Sequence, residues 1–238
     1  MRYKHLLFSL CFFAFFNCKE DTTTVFTNVN ITSQNNTIVE INIPKATGSN
    51  AISNTINTTI HNTVISTLHI SNLDNITSLS VEESINAFNN EYTAFKNDFP
   101  EAVLPWEAQV DGEIMHQSSN IISIAITSYI NTGGAHGNLN ITFLNFNAET
   151  GKKIENNQLF NNIEGLKKII KPYFVEATKN KNLLIDNAEF KLPENIGYNE
   201  NGIVFLYNTY EIAPYTTGII EFVIPYKDIN PYLVFNSF

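Results

Sequence analysis

The chain has 238 residues, which is long enough for one large or two small domains whose core needs no disulfide staples. Hydrophobic residues make up 43% of it and charged residues only 16%, an ordinary globular composition with few charges. The formal net charge of −9 argues against nucleic acid or anionic lipid as a partner and leaves room for a cationic protein or polymer.

The first residues have the pattern of an export signal. Arg2 and Lys4 form a basic start, and the apolar run Leu6–Phe16 follows them. This run is too short to cross a bilayer as a permanent helix, so a cleaved signal peptide is the better interpretation. We therefore predict that residues 1–17 are a signal peptide and that the mature chain is exported.

Cys18 stands directly after the apolar run and is followed by polar residues. This arrangement resembles the cleavage site of bacterial lipoproteins, which implies that Cys18 carries a lipid and that residues 18–23 form a lipidated tether. Lys19–Asp21 resembles the charged signal that sends some lipoproteins to the outer face of the outer membrane, so we predict that location. The alternative is simple secretion with Cys18 as a free thiol. Cys11 would leave with the signal peptide, so no disulfide is expected.

The next two runs predict a β-hairpin and a helix. Val25–Ile31 and Ile38–Ile43 alternate as strands do and flank a turn-like polar segment. Apolar residues then recur every four positions, the spacing of one helix face. These residues are Ile52, Ile56, Ile60, Val64 and Leu68. Their Thr- and Asn-rich surroundings have weak helix propensity, so tertiary packing must hold the helix.

A second helix is signalled more clearly. Ser80 and Glu83 have the spacing of a capping box, and an apolar stripe rich in aromatic residues runs from Val81 to Phe99. Pro100 and Pro105 follow the stripe and end the helix. We interpret the aromatic stripe as a face buried against a sheet rather than as a ligand groove.

The second half of the chain returns to strands. Trp106–His116, Ile121–Ile130 and Leu139–Phe146 are three successive β-patterned runs. A helix is predicted over Ile163–Lys179, with Pro172 expected to kink or divide it.

Two further strands, Ile203–Tyr207 and Gly218–Ile224, precede a short helical turn over Tyr226–Leu233. This order of elements predicts an α+β fold, with antiparallel sheets packed against three main helices and no parallel βαβ core. A division into two subdomains would fall near Pro100–Pro105, which gives residues 24–104 and 105–238.

The segment Tyr129–Gly137, between two predicted strands, contains the residues that most suggest a functional site. Gly133, Gly134 and Gly137 surround His136, and glycines at such a connection indicate a positive φ or the close approach of another group. The segment lacks the lysine and the following helix of a phosphate-binding loop and is no dinucleotide fingerprint. We therefore expect no nucleotide cofactor.

The sequence has no motif of a metal site or of a catalytic nucleophile. His116, His136, Asp111 and Glu113 form a conceivable ligand set, but they lack ligand spacing within one element. We favour a structural His136 that hydrogen-bonds its own turn, and we expect no metal or other cofactor. No Gly-x-Ser-x-Gly elbow occurs. A pair of catalytic carboxylates has no sequence signature, so glycosidase chemistry stays open.

Together these residues identify a family resemblance that spans residues 24–233. The ordered motifs are Tyr129–Gly137, Phe146–Lys152, Leu159–Phe160, Gly202–Phe205, Tyr210–Tyr215, Gly218 and Ile224–Tyr226. They resemble the extracytoplasmic domain of the anti-sigma factor RsiV, and a related module forms the N-terminal domain of the peptidoglycan deacetylase PdaC. The resemblance implies paired domains of unknown function that pack into one α+β unit, which RsiV uses to bind lysozyme.

The resemblance also directs the functional hypothesis. It implies a family motif, structural or ligand-binding, made of Gly133, Gly134, His136, Gly137, Tyr210 and Tyr215. We expect a cell-envelope lipoprotein with a non-catalytic binding or sensor-like domain, whose partner is a lysozyme-like protein or a peptidoglycan fragment. The chain lacks a sigma-binding segment, a transmembrane helix and a deacetylase domain, so we expect neither sigma-factor signalling nor deacetylation. The alternative is an envelope hydrolase of wall glycan or peptide that uses His136 with a nearby carboxylate.

Overall fold

The computed structural model describes residues 23–33, 37–70, 76–101, 104–184 and 190–236. The predicted signal peptide, the predicted lipidation site Cys18 and nearly all of the tether over residues 18–23 lie outside these residues. Their assignments therefore stay predictions.

The described residues form nine strands and four α-helices, which confirms the α+β class. In chain order they are β1 (Val25–Thr32), β2 (Ile38–Thr47), α1 (Asn50–Leu68), α2 (Val81–Asp98), β3 (Glu107–Gln117), β4 (Ile121–Asn131), β5 (Asn138–Asn147), β6 (Lys153–Ile154), α3 (Ile163–Thr178), β7 (Asn195–Tyr198), β8 (Gly202–Tyr207), β9 (Ile220–Pro225) and α4 (Tyr226–Ile229). Strands β1 to β6 form one sheet in chain order, and β7 to β9 form a second. The predicted boundary between residues 104 and 105 stays a prediction, and the first sheet takes strands from both sides of it.

The larger sheet is antiparallel except between β2 and β3, which pair in parallel through Ile38–Asn42 and Glu107–Asp111. Helices α1 and α2 connect these two strands, and a parallel pair needs a crossover of such length. The sequence patterns did not predict this parallel pair. Alternating hydrophobicity shows which face of a strand is buried, but it carries no information on strand direction.

The two crossover helices follow their predicted patterns. Ser80 caps α2 by accepting a hydrogen bond from the Glu83 N–H (3.1 Å), and the Glu83 carboxylate accepts one from the Leu79 N–H (2.6 Å). In α1 the predicted stripe from Ile56 to Leu68 is buried. These helices pack on the even-numbered face of β4, which carries buried isoleucines such as Ile124.

The smaller sheet covers the opposite face of β4 and β5. Val204 and Leu206 of β8 pack there with Ala125 and Phe143, whereas alternate residues of β8, such as Phe205, face α3. The molecule therefore has four layers, in the order helices, large sheet, small sheet and helix. Strand β4 is buried on both faces because it lies in the second layer.

Two local predictions need correction. Strand β7 lies between the predicted helix Ile163–Lys179 and the predicted strand Ile203–Tyr207, where no element was expected, because two of its four residues are Asn195 and Gly197. Helix α3 is continuous through Pro172, so of the two expected effects, a kink or a division, the division does not occur. Pro172 and Lys168 are both exposed, so water can satisfy the Lys168 carbonyl that loses its helical hydrogen bond.

Candidate functional site

The glycine segment forms the connection from β4 to β5. Gly133 has φ +82°, a conformation that favours glycine, and its N–H donates to Asn131 Oδ1 (3.0 Å). Gly137 is buried, and a Cβ at this position would overlap the ring of Tyr129. Gly134 is exposed with room for a Cβ, so the local geometry does not require glycine there. The local structure therefore explains two of the three glycines, Gly133 by its backbone conformation and Gly137 by the neighbouring Tyr129 ring.

His136 is exposed and stacks on Tyr215 at a ring-centroid distance of 3.7 Å and an interplanar angle of 16°. The Tyr215 hydroxyl donates to the Gly137 carbonyl (3.2 Å). Tyr215 therefore contacts the loop in two ways, by ring stacking and by a hydrogen bond. In the described part of the chain, His136 makes no hydrogen bond and has no carboxylate at ion-pair distance. Ring stacking takes the place of the hydrogen bond expected from the sequence.

A second turn, residues 208–213, lies beside the loop. Tyr210 occupies the left-handed region at φ +69°, and its N–H donates to the Ala213 carbonyl (3.2 Å). Tyr210 is 59% exposed, and the centroid of its ring lies 5.9 Å from that of the Tyr215 ring. A left-handed conformation destabilises a non-glycine residue by about 1–2 kcal/mol. Strain of this kind at an exposed aromatic residue points to a function of its side chain.

Glu211 holds the same turn in place. Its carboxylate accepts hydrogen bonds from the Asn208 N–H (2.9 Å) and the Glu194 N–H (2.8 Å). Burial raises the pKa of Glu211, and the two backbone N–H groups partly oppose that shift. Ile212 and Ala213 anchor the turn in the core.

The second turn also covers the outer edge of β5. The Asn208 side chain accepts a hydrogen bond from the Ile141 N–H (2.9 Å) and donates one to the Ile141 carbonyl (2.8 Å). Asn195 Oδ1 accepts from the Phe143 N–H (3.2 Å). Side-chain amides thus stand in for a neighbouring strand and protect the edge. Sequence reasoning missed both asparagines, because each bonds to a residue more than fifty positions away.

Two open grooves meet at Asn140 and Thr142 on β5. The first, here called the Tyr210 groove, has a volume of about 550 Å³. Besides those two residues it is lined by Lys191, Glu194, Asn195, Asn208, Tyr210 and Glu211, among others. The second, called the α1 groove, has a volume of about 560 Å³. It lies between α1 and the face of β4 and β5 on which the helices pack. Its walls include Thr59, Asn62, Thr63, Ser66, Ser128 and Lys153.

The conceivable metal set does not assemble. His116 pairs with Ser123 of β4, whereas His136 follows Asn131 at the other end of that strand. Eight residues of strand separate Ser123 from Asn131, a distance of about 26 Å. No group of three or more His, Cys, Asp and Glu side chains converges within the described ranges.

His116 has its own environment near the end of β3. It follows an irregularity in the pairing with β4, and its Nε2 is buried without a hydrogen-bond partner among the described residues. Burial lowers the pKa of His116, and the nearby charge of Glu200 partly opposes that shift. The structure therefore favours a neutral imidazole at this position.

Comparison with protein families identifies the chain. Residues 31–139 match the family described as "Deacetylase PdaC", and residues 141–227 match "Protein of unknown function (DUF3298)". The chain therefore carries a PdaC domain followed by a DUF3298 domain, here together called the PdaC–DUF3298 tandem. This assignment confirms the resemblance drawn from the sequence motifs. The two matched regions meet at the start of β5, where the two grooves also meet.

Solved structures share the fold of the PdaC–DUF3298 tandem. A DUF3298 family member from Bacteroides fragilis has a TM-score of 0.70 at 19% identity, and one from Pseudomonas aeruginosa PAO1 has 0.58 at 18%. Each comparison covers 89% of this chain and 94% of the other. A comparison with curated proteins finds no match.

The family assignment supports, at its most specific, a non-catalytic domain associated with the cell envelope. Within the described residues, no helix is long and apolar enough to cross a membrane.

Proposed function

We propose that this chain is an exported, lipid-anchored protein of the cell envelope, whose PdaC–DUF3298 tandem binds a ligand without catalysing a reaction. The observation that carries the proposal is Tyr210, an exposed ring held beside a groove in a strained conformation. Strain that the fold does not require is retained where a side chain serves recognition. The ligand is a lysozyme-like protein or a wall-derived glycan. The net charge of −9 would favour the approach of a cationic lysozyme-like protein.

The arrangement around His136 supports binding over hydrolysis. A general acid or base on this imidazole needs a partner that orients it, and the enzyme hypothesis assigned that role to a carboxylate. His136 instead stacks on Tyr215, whose hydroxyl is committed to the Gly137 carbonyl. This arrangement orients the loop, but among the described residues no carboxylate lies at ion-pair distance from His136 to orient its imidazole.

Binding is tested by calorimetric titration of the full-length chain with lysozyme-like proteins and with purified peptidoglycan fragments. We expect saturable binding to at least one of these ligands and no release of new wall fragments. A His136→Ala variant separates the two hypotheses. If the wild type degrades wall material and the variant loses that activity at an unchanged melting temperature, the binding proposal fails. Absence of binding across the whole panel also contradicts it.

The anchor has a separate test. In cells that express the wild type we expect the chain in the membrane fraction, with a lipid-modified N-terminal peptide in mass spectrometry. Cys18→Ser should move the protein to the soluble envelope fraction or leave the signal peptide uncleaved. An unmodified wild-type Cys18 would contradict lipidation and support simple secretion.

A further inference from the structure

The Tyr210 groove and the α1 groove are joined along β5. Asn140 and Thr142 line both of them, and the Asn140 side chain donates to the Thr142 hydroxyl (3.3 Å). Together they form a surface, here called the extended groove, that begins beside α1, crosses β5 and ends at Tyr210. Each groove has the volume of a pocket for one ligand unit, so the two end to end offer room for a chain-like ligand.

The walls of the extended groove are mostly uncharged and polar. Side-chain hydroxyl and amide groups dominate, and four charged side chains, two of each sign, are Lys153, Lys191, Glu194 and Glu211. Lys153 is paired with Glu155 (3.1 Å), and both Glu211 oxygens bind backbone N–H groups. Amides and hydroxyls both donate and accept hydrogen bonds, so such walls match a ligand that carries many hydroxyl and amide groups.

The Tyr210 end adds a flat apolar surface. Its exposed ring leans on Tyr215, which in turn stacks on His136. Aromatic residues such as tyrosine combine an apolar face with a polar tip. They therefore suit contact with a ligand that also has both apolar and polar surfaces. The face of a sugar ring, with its C–H groups surrounded by hydroxyls, is such a ligand.

An extended peptide fits this surface less well. A peptide that adds to a sheet edge needs free backbone groups on that edge, and Asn208 already binds both the N–H and the carbonyl of Ile141. Asn195 likewise occupies the N–H of Phe143. Main-chain pairing along this part of β5 is therefore blocked.

We infer that the extended groove binds an uncharged oligosaccharide of acetamido sugars, with one sugar ring on Tyr210 and further units crossing β5 toward α1. This inference rests on the proposed binding function and selects the glycan over the protein ligand. The acetamido group supplies the amide that the asparagine-rich walls recognise, and the hydroxyls of each ring match the threonine side chains. The length of the groove makes affinity depend on the number of sugar units.

The test uses the full-length chain and oligomers of N-acetylglucosamine with one, two, four and six units, measured by calorimetry. We expect affinity to rise with length up to the six-unit chain. Tyr210→Asn, which removes the ring but tolerates a positive φ, should weaken binding of all oligomers about tenfold. Asn62→Ala, in the α1 groove, should weaken the longest oligomer and leave the two-unit one unchanged. Phe99→Asn is the matched control, because Phe99 is also 59% exposed but lies outside both grooves.

The outcomes separate this inference from the proposed function. If no oligomer binds but a lysozyme-like protein does, the proposed function stands and the glycan assignment is overturned. If oligomers bind without dependence on length or on Tyr210, the site lies elsewhere. If neither oligomers, peptidoglycan fragments nor lysozyme-like proteins bind, both proposals fail. Melting temperatures of all variants, within a few degrees of the wild type, establish that lost binding does not reflect unfolding.

Discussion

Two turns lie side by side next to β5, and each contains a residue with a positive φ. The two turns differ in the type of residue that takes this conformation. The glycine loop, residues 132–137, uses Gly133 at its positive φ and Gly137 where the Tyr129 ring leaves no room for a Cβ. The turn at residues 208–213 places Tyr210 at a positive φ instead, although glycine would relieve its strain.

This difference separates folding from recognition. Where a turn needs only a positive φ, a residue without a side chain is sufficient, and the glycine loop follows that rule at Gly133. Where a large exposed ring occupies the same kind of position, its benefit must come from what the ring contacts. Of the two turns, the tyrosine turn is therefore the better candidate for direct ligand contact, and the glycine loop supports it through Tyr215.

The largest expected effect falls on the link between the tyrosine turn and β5. Asn208→Ala should lower the free energy of unfolding by about 2–3 kcal/mol, because both Ile141 backbone groups lose their partner on a half-buried edge. Urea denaturation at neutral pH measures this change in the free energy of unfolding. Asn201→Ala, in the exposed turn at the other end of β8, is the control and should change stability by less than about 0.5 kcal/mol. Equal losses in the two variants would show that the amide bridge adds no stability.

The glycine loop should respond to a single added methyl group. Gly137→Ala is expected to destabilise by about 1–2 kcal/mol, because the Tyr129 ring must move to admit the Cβ. Gly134→Ala, which has room for its Cβ, should be neutral. In a Tyr129→Ala background the Gly137→Ala loss should shrink, as a double-mutant cycle would measure. An undiminished loss would place the cause in the loop backbone rather than in the ring.

Tyr215 connects the two turns through its hydroxyl as well as its ring. Tyr215→Phe should cost about 1 kcal/mol of stability, since the Gly137 carbonyl loses its donor while the stack on His136 remains. Tyr232→Phe provides the control, because the Tyr232 hydroxyl has no partner within the described residues. Thermal unfolding of the two variants side by side decides whether the hydroxyl matters.

The smallest change in stability is expected at Tyr210 itself. Tyr210→Asn should leave the free energy of unfolding unchanged or raise it by up to about 1 kcal/mol, since asparagine tolerates the left-handed region. Denaturant titration alongside the binding assay measures both properties. A strong destabilisation would show that the ring serves the fold and would remove the contrast between the two turns.

Local features of the chain were predictable because their causes lie within a few residues. The capping pattern of Ser80 and Glu83 started α2 as expected, and the spacing of apolar residues identified α1 and α3. The glycine loop was also conspicuous, because glycine is the residue that occurs where φ is positive or where another group lies close to the backbone. The direction of β3 and the existence of β7 had no such local signal.

The candidate site likewise has features that the sequence predicts and features that it does not. The loop and the motif Tyr210–Tyr215 were recognisable as sequence, but their contact was not. Tyr215 bonds to Gly137 across 78 positions, and Asn208 bonds to Ile141 across 67. No local pattern specifies such pairs, because they depend on how the small sheet packs against β5.

By itself, the sequence determined the α+β class, most of the elements and the family, since each follows from local patterns or ordered motifs. The tertiary structure alone decided that Tyr210, Tyr215 and His136 form one surface and that two grooves join at Asn140 and Thr142. The physical reason is that local spacing sets which side of a strand or helix is buried, whereas long-range packing decides which turns become neighbours.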